Sequence, residues 1–165
     1  MASTSRARSA SKGSAEIAVT DGLAQLSFLI QESLARCTAT YELSLSQTRL
    51  LGVLRDREPT MNELAKLLGL DKSSISGLVE RAERRGLVSR VSSMSDRRKV
   101  SVVLTDEARS IVTEISRRFS SDVSSLLELV PPFDRMTLSR IVNRLLVANA
   151  AAHGVDLFET VVAES

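Results

Sequence analysis

Residues 60–105 read TMNELAKLLGLDKSSISGLVERAERRGLVSRVSSMSDRRKVSVVLT. Pro59 stops the segment before it, and Thr60 and Glu63 have the three-residue spacing of a capping box. Leu64, Leu67 and Leu68 then lie at helical spacing. Gly69 ends this first helix, because glycine takes the left-handed conformation without a Cβ clash. Asp71 is placed as the N-cap of a second helix over Lys72–Arg85. Two helices joined by a short turn containing glycine make a helix-turn-helix.

The second helix puts Ile75, Leu78, Val79 and Ala82 on one face. Ser73, Ser76, Gly77, Glu80, Arg81 and Arg84 lie away from it, small and hydroxyl-rich first, basic further on. Small residues let a backbone come close to a groove wall, and free N–H groups at the helix start favour a phosphate. Taken alone, this face reads equally well as the solvated side of a core helix. The next residues shift the balance. Gly86 ends the helix; Leu87, Ser89 and Val91 alternate with Val88, Arg90 and Ser92, and Val100, Val102 and Leu104 repeat the alternation after a polar loop. Lys72–Lys99 carries eight cations (Lys72, Arg81, Arg84, Arg85, Arg90, Arg97, Arg98, Lys99) against three anions (Glu80, Glu83, Asp96), net +5 in a chain of net +2. A basic face on a nearly balanced protein is the electrostatic footprint of a nucleic-acid binder. The order helix, turn, helix, basic hairpin is that of a winged helix-turn-helix.

The stretch resembles the MarR family of bacterial transcription regulators. The resemblance is carried by Asp71-Lys72-Ser73-Ser74, Leu78-Val79-Glu80-Arg81, Arg85-Gly86-Leu87-Val88, Asp96-Arg97-Arg98 and Leu104-Thr105, with five residues between Arg98 and Leu104. It extends by arrangement of helices from about residue 17 to 150. Many members carry a second Asp-x-Arg at the wing tip, where this chain has Ser93 and Ser95.

The flanks fit a single domain of 165 residues, mainly α with one small β-hairpin wing. Hydrophobic content of 43% and charge of 25% are ordinary for a globular protein. No apolar run is long enough to span a membrane, and the first residues lack the apolar core of a signal peptide, so a cytoplasmic location is expected. Residues 1–15 read as a disordered basic arm with Arg6, Arg8 and Lys12, and 155–165 as a C-terminal tail. Between them, 16–154 forms the protomer, with its DNA-binding part at 44–105. Long apolar helices are expected at 17–38, 106–130 and 134–153, capped by Thr20 or Asp21, by Thr105 and by Asp134; Ser46 is expected to cap a further helix before Pro59. Phe133 and Leu138 are placed as a hydrophobic staple. Stripes of this length cannot be buried within one winged helix, so a partner is required. The resemblance implies a homodimer through the first, fifth and sixth helices, suited to a pseudo-palindromic operator in double-stranded DNA.

Further chemistry is thin. His153 stands alone near a helix end, Cys37 is the only cysteine, and no catalytic, metal or cofactor constellation is visible, so neither an enzyme nor a cofactor is expected. Cys37 reads first as a small buried apolar residue. The peroxide-sensing branch of the family carries a cysteine near the start of its first helix, and Asp21–Leu26 has none. Three functions stay open: a dimeric, ligand-responsive repressor, a redox sensor through Cys37, or a winged-helix protein-interaction module, which would not need Arg97-Arg98-Lys99. For DNA, the expected contacts are Lys72, Ser73, Ser74, Ser76, Gly77, Arg81, Asp96, Arg97, Arg98 and Lys99. Asp96 is expected to aim Arg98 into the minor groove. For a small aromatic or lipophilic effector, the expected site is a junction near Phe28, Cys37 and Tyr41.

Overall fold

In the computed structural model, residues 17–92, 100–152 and 154 are described. Six helices and one hairpin follow in the order α1 (Val19–Ala39), α2 (Leu45–Leu54), α3 (Met61–Leu68), α4 (Lys72–Arg84), β1 (Val88–Ser92), β2 (Val100–Leu104), α5 (Asp106–Leu127) and α6 (Pro132–Ala152). The expected basic arm, the wing tip 93–99, His153 and the tail 155–165 lie outside the described residues.

Helix starts follow the local chemistry. At α3, the Thr60 N–H donates to Glu63 Oε2 at 2.7 Å and the Glu63 N–H donates back to Thr60 Oγ1 at 3.4 Å. Ser44 and Gln47 make the same reciprocal pair at α2, so Ser44, and not Ser46, is the cap. Ser44 has the side-chain acceptor three residues on that a capping box needs. At α1 the N-cap is Ala18, with no side-chain cap; Thr20 and Asp21 fall inside the first turn. At α6, Pro132 takes the first helical position, for which its fixed φ is suited. This places Phe133 and Asp134 within the first turn, so Asp134 is not the cap and Phe133 is no staple residue preceding one. Helix α5 ends at Leu127, three residues before the expected 130, and the chain turns through Leu129 and Val130. Val130 precedes Pro131, and a residue before proline is disfavoured in the helical region.

One C-terminal lock is used twice. After α3, Gly69 sits at φ 65° and the Leu70 N–H returns to Ala65 O at 2.9 Å. After α4, Gly86 sits at φ 68° and the Leu87 N–H returns to Ala82 O at 3.0 Å. Both are left-handed endings that satisfy carbonyls otherwise left without partners.

The hairpin is antiparallel, with Val88 opposite Leu104, Arg90 opposite Val102 and Ser92 opposite Val100. A third segment joins it: the Val102 N–H donates to Pro59 O at 2.9 Å, and Thr60 bridges Ser101. The residues entering α3 are thereby tied to the wing. Thr105 closes the unit; its hydroxyl donates to Gly86 O at 2.7 Å and accepts from the Ala108 N–H.

One core holds these parts together. Leu50, Leu51 and Leu54 of α2, Leu64 and Leu68 of α3, Ile75, Leu78, Val79 and Ala82 of α4, Val88, Val102 and Leu104 of the hairpin, and Ala108 and Val112 of α5 are buried in a single cluster. Helix α1 packs along α5. There the Ser33 hydroxyl donates to Asp122 Oδ2 at 2.7 Å and Arg36 reaches the same oxygen at 3.3 Å. These two donors hold the Asp122 carboxyl below the usual range.

Helix α6 differs from the rest. Among the described residues, no element packs extensively against it, and Ala150 is its single buried residue. Met136, Ile141, Val142, Leu145, Leu146 and Val147 are all exposed, Leu145 by 57%.

The turn endings give a contrast within one protein. At Gly69 an added Cβ meets nothing within 4 Å, so the cost of Gly69→Ala comes from the positive φ alone. That substitution is expected to lower unfolding free energy by about 1–2 kcal/mol. Gly52, interior to α2, also has nothing within 4 Å of an added Cβ. There Gly52→Ala is expected to raise stability by about 0.5–1 kcal/mol. Urea unfolding of both variants at one protein concentration checks the opposite signs.

Candidate nucleic-acid interface

Burial of Ile75, Leu78, Val79 and Ala82 turns the other side of α4 outward. Lys72, Ser73, Ser74, Glu80, Arg81 and Arg84 are exposed there, while Ser76 and Gly77 are half-buried. The structure thus gathers Lys72, Ser73, Ser74, Ser76, Gly77 and Arg81 on one helix. Asp96, Arg97, Arg98 and Lys99 lie outside the described residues.

The start of α4 is occupied from within. Asp71 Oδ1 accepts from the Ser73 and Ser74 N–H groups at 2.9 Å each. The Ser73 and Ser74 hydroxyls donate to Asp71 Oδ1 and Oδ2, each at 2.6 Å. These four bonds, the two hydroxyls foremost, hold the Asp71 carboxyl well below the usual carboxylate range. The expectation that free N–H groups at this helix start would favour a phosphate is corrected here. Two of them are already bonded to a carboxylate, whose charge opposes a second anion.

Further along the helix, the Ser76 hydroxyl donates to Glu80 Oε1 at 3.3 Å. A Cβ at Gly77 would stand 3.2 Å from Arg81 Nη1, so the guanidinium lies over the glycine. Gly77 therefore leaves room both for a close approach and for the resting position of Arg81.

Arg85 is not part of the outward basic face. Its Nη1 donates to Glu42 O at 2.9 Å and to Gln47 Oε1 at 3.0 Å, and its Nη2 donates to Tyr41 O at 2.8 Å. The guanidinium grips the turn between α1 and α2. Sequence reasoning counted Arg85 with the basic face and missed this role. The signal was present: Arg85 follows the buried Leu78 by seven residues, two helical turns, and so leaves the helix on the Leu78 side, although it remains exposed. Arg90 is drawn aside as well, 3.4 Å from Glu83. Of the cations described in this stretch, Lys72, Arg81 and Arg84 remain to define the outward charge.

A cavity of about 260 Å³ opens between α1, α2 and α5. Its walls are mostly apolar, with Leu34, Leu43, Leu51, Ile115 and Phe119, and it also presents Arg49 and Arg55. Phe28, Cys37 and Tyr41 do not line it. Phe28 is 62% exposed, Cys37 is buried and Tyr41 is half-buried. Cys37 borders a shallower groove with Arg36, Arg117 and Arg118, whose charge is matched by Glu32, Glu114 and Asp122. Arg117 and Arg118 hold the Glu114 carboxyl down to about 2. Among the described residues, no group of His, Cys, Asp and Glu could hold a metal, and no helix is long and apolar enough to cross a membrane.

Known proteins share this arrangement. The HTH-type transcriptional regulator PecS of Dickeya dadantii is 25% identical over 138 residues, 81% of this chain and 80% of PecS. The chain spans between 44% and 80% of the length of the first curated relatives it matches. Among solved structures, the transcriptional repressor CouR bound to a 23-mer DNA duplex superposes with a TM-score of 0.65 at 24% identity, covering 78% of this chain and 92% of that one. NadR in complex with 4-hydroxyphenylacetate superposes at 0.64 with 20% identity, covering 82% of this chain and 96% of that one. At these identities the two structures establish the winged helix-turn-helix fold. The sequence assignment comes from residues 41–99, which match the MarR family profile and run from the Arg85-gripped turn to the end of the wing loop. Through that segment, the chain is similar to the MarR family, and along most of its length to a transcription regulator, PecS.

Proposed function

We propose that this protein is a homodimeric repressor that binds a pseudo-palindromic operator and is released by a small amphipathic anion. The observation that carries the DNA reading is the outward face of α4, small and polar at Ser73, Ser74, Ser76 and Gly77 and basic at Lys72, Arg81 and Arg84. A helix of this kind enters a major groove, where side chains read base edges, while the cations meet phosphates. The fold shared with DNA-bound CouR supports the same docking.

The wing completes the contact in this reading. Asp96 and Arg98 are two residues apart, and a carboxylate pairing with the guanidinium fork limits where the arginine points. Narrow A·T-rich minor grooves concentrate negative potential and favour an arginine already aimed. Lys99 and Arg97 meet phosphates. In gel-shift titrations on one operator at several salt concentrations, Lys99→Ala should reduce the salt slope by roughly 0.9 for each phosphate the lysine neutralises. Arg98→Ala should weaken binding most where the flanks are A·T-rich. Asp96→Ala should weaken binding although it removes a negative charge; tighter binding by that variant would overturn the aimed arginine.

The exposed apolar face of α6, together with exposed Leu23, Phe28 and Leu29 of α1, supports the homodimer. A second copy of the chain covers this surface and sets two α4 helices on one side of the DNA. Introducing Ile141→Glu with Leu145→Glu should give a folded monomer in sedimentation. It should lose about 10²-fold or more in operator affinity, because the second half-site no longer binds intramolecularly. A dimer that survives both substitutions would place the interface elsewhere.

The α1–α2–α5 cavity supports the ligand reading. The apolar walls suit the ring of an aryl carboxylate, the class of molecule bound to NadR, whose carboxylate would draw Arg49 from Leu68 O or Arg55 from Asp56. Calorimetry with a panel of aryl carboxylates that includes 4-hydroxyphenylacetate should find compounds that bind and release the operator. Ser116→Phe, which fills the cavity, should abolish both effects. No binding across the panel would remove this ligand class.

A further inference from the structure

The connection between α1 and α4 is narrow. Helix α1 packs extensively only against α5, whereas α4 packs against α2, α3 and β1. Among the described residues, a direct tie between the end of α4 and the turn after α1 is the side chain of Arg85. Three hydrogen bonds join it to the turn after α1 and the start of α2: Tyr41 O at 2.8 Å, Glu42 O at 2.9 Å and Gln47 Oε1 at 3.0 Å. Both carbonyls belong to a turn in which Glu42 adopts φ 49°, a left-handed conformation that non-glycine residues avoid. Gln47 is buried and also accepts from the Ser44 N–H at 3.1 Å, so one side-chain oxygen serves the α2 cap and the arginine together. A planar fork that fills three acceptors through two fixed nitrogens sets orientation, whereas a lysine's three donors rotate about one nitrogen on a flexible stem.

We infer that Arg85 is a positioning residue that sets the orientation of each α4 relative to α1, and thereby the half-site spacing the dimer accepts. The inference rests on the proposed reading of a dimer on two half-sites. If α1 carries part of the dimer contact and α4 carries the base contacts, the geometry between them passes through the α1–α5 packing and through this turn, and only the turn grips the end of α4 itself. Moving a half-site by one base pair displaces it by about 3.4 Å along the axis and also rotates it around the duplex. A rigid tie therefore rejects a changed spacing, and a loose one tolerates it.

The test uses the full-length dimer and operators whose half-sites are held constant while the central spacing is shortened or lengthened by one base pair. Wild-type protein should favour one spacing by about tenfold or more, in line with ordinary discrimination between good and imperfect sites. Arg85→Lys should bring that ratio to within about twofold, keep the base preference inside each half-site, and remain dimeric. A purely structural role would lower the melting temperature and all affinities together and leave the ratio intact. That result would overturn the inference. If Arg85→Lys does not fold, Gln47→Leu, which deletes one acceptor and leaves both carbonyl bonds, should lower the ratio partway; an unchanged ratio there overturns it equally. Wild-type protein that binds no operator in a gel shift would defeat the DNA reading itself, a distinct outcome from binding with unaltered spacing selectivity.

Discussion

The outward face of α4 depends on the burial of its other face against α2, α3 and the hairpin. Val79, Leu64, Leu50 and Val102 are fully enclosed, one from each of those four elements. Close packing leaves such a site no freedom to rotate a helix by even part of a turn without opening voids. With Ile75, Leu78, Val79 and Ala82 inside, the opposite stripe is outside by geometry, and its residues are presented at fixed angles. The wing shares the constraint. Val102 sits in the core while its N–H is bonded to Pro59 O, so the strand leading back from the wing loop is pinned beside the entrance to α3. The surface proposed to read a groove is thus the outer face of a core that cannot slide.

The same packing rule shows where the described chain leaves apolar surface uncovered. The winged unit consumes its apolar side chains internally. Helix α6 cannot, because nothing described in the protomer packs extensively against it, and its Leu, Ile, Val and Met side chains stay in solvent. A contiguous exposed apolar face of this extent is not a normal monomer surface. Helix α1 shows the intermediate case: its Ser33, Cys37 and Thr38 side is buried against the protomer, while Leu23, Phe28 and Leu29 face out. Exposed surface on two helices from opposite ends of the chain is what a partner would have to cover.

Much of this was legible in the residues, and the failures have identifiable causes. The Thr60–Glu63 box, the Gly69 and Gly86 endings, the Asp71 and Thr105 caps and the buried face of α4 all follow from spacings within one or two turns. Those spacings act locally, and the core reinforces each of them. The helix starts at α1 and α6 were misread for the opposite reason: plausible capping side chains stood nearby, but Ala18 and the Pro131–Pro132 pair decided the starts. Tertiary features were less visible. The pairing of Pro59 and Thr60 with β2 joins residues some forty apart, and no periodicity marks it. The α1–α2–α5 cavity depends on how three helices splay, which no single residue position marks.

Charge shows most clearly why position outweighs count. Between Lys72 and Lys99 the sequence carries net +5, yet that sum treats every cation alike. Arg84 and Arg85 are neighbours about 100° apart on the helix, which is enough to give them different surroundings. Arg84 faces solvent with Arg81, whereas Arg85 points back at two carbonyls and an amide oxygen. In high dielectric, an exposed cation adds to the long-range attraction for a polyanion and is screened by salt over about 8–10 Å. One whose donors are committed to backbone oxygens contributes to that field without reaching a phosphate. A basic stretch therefore separates into cations turned to solvent and a cation bonded to the α1–α2 turn, and the orientation of the helix is what sorts them.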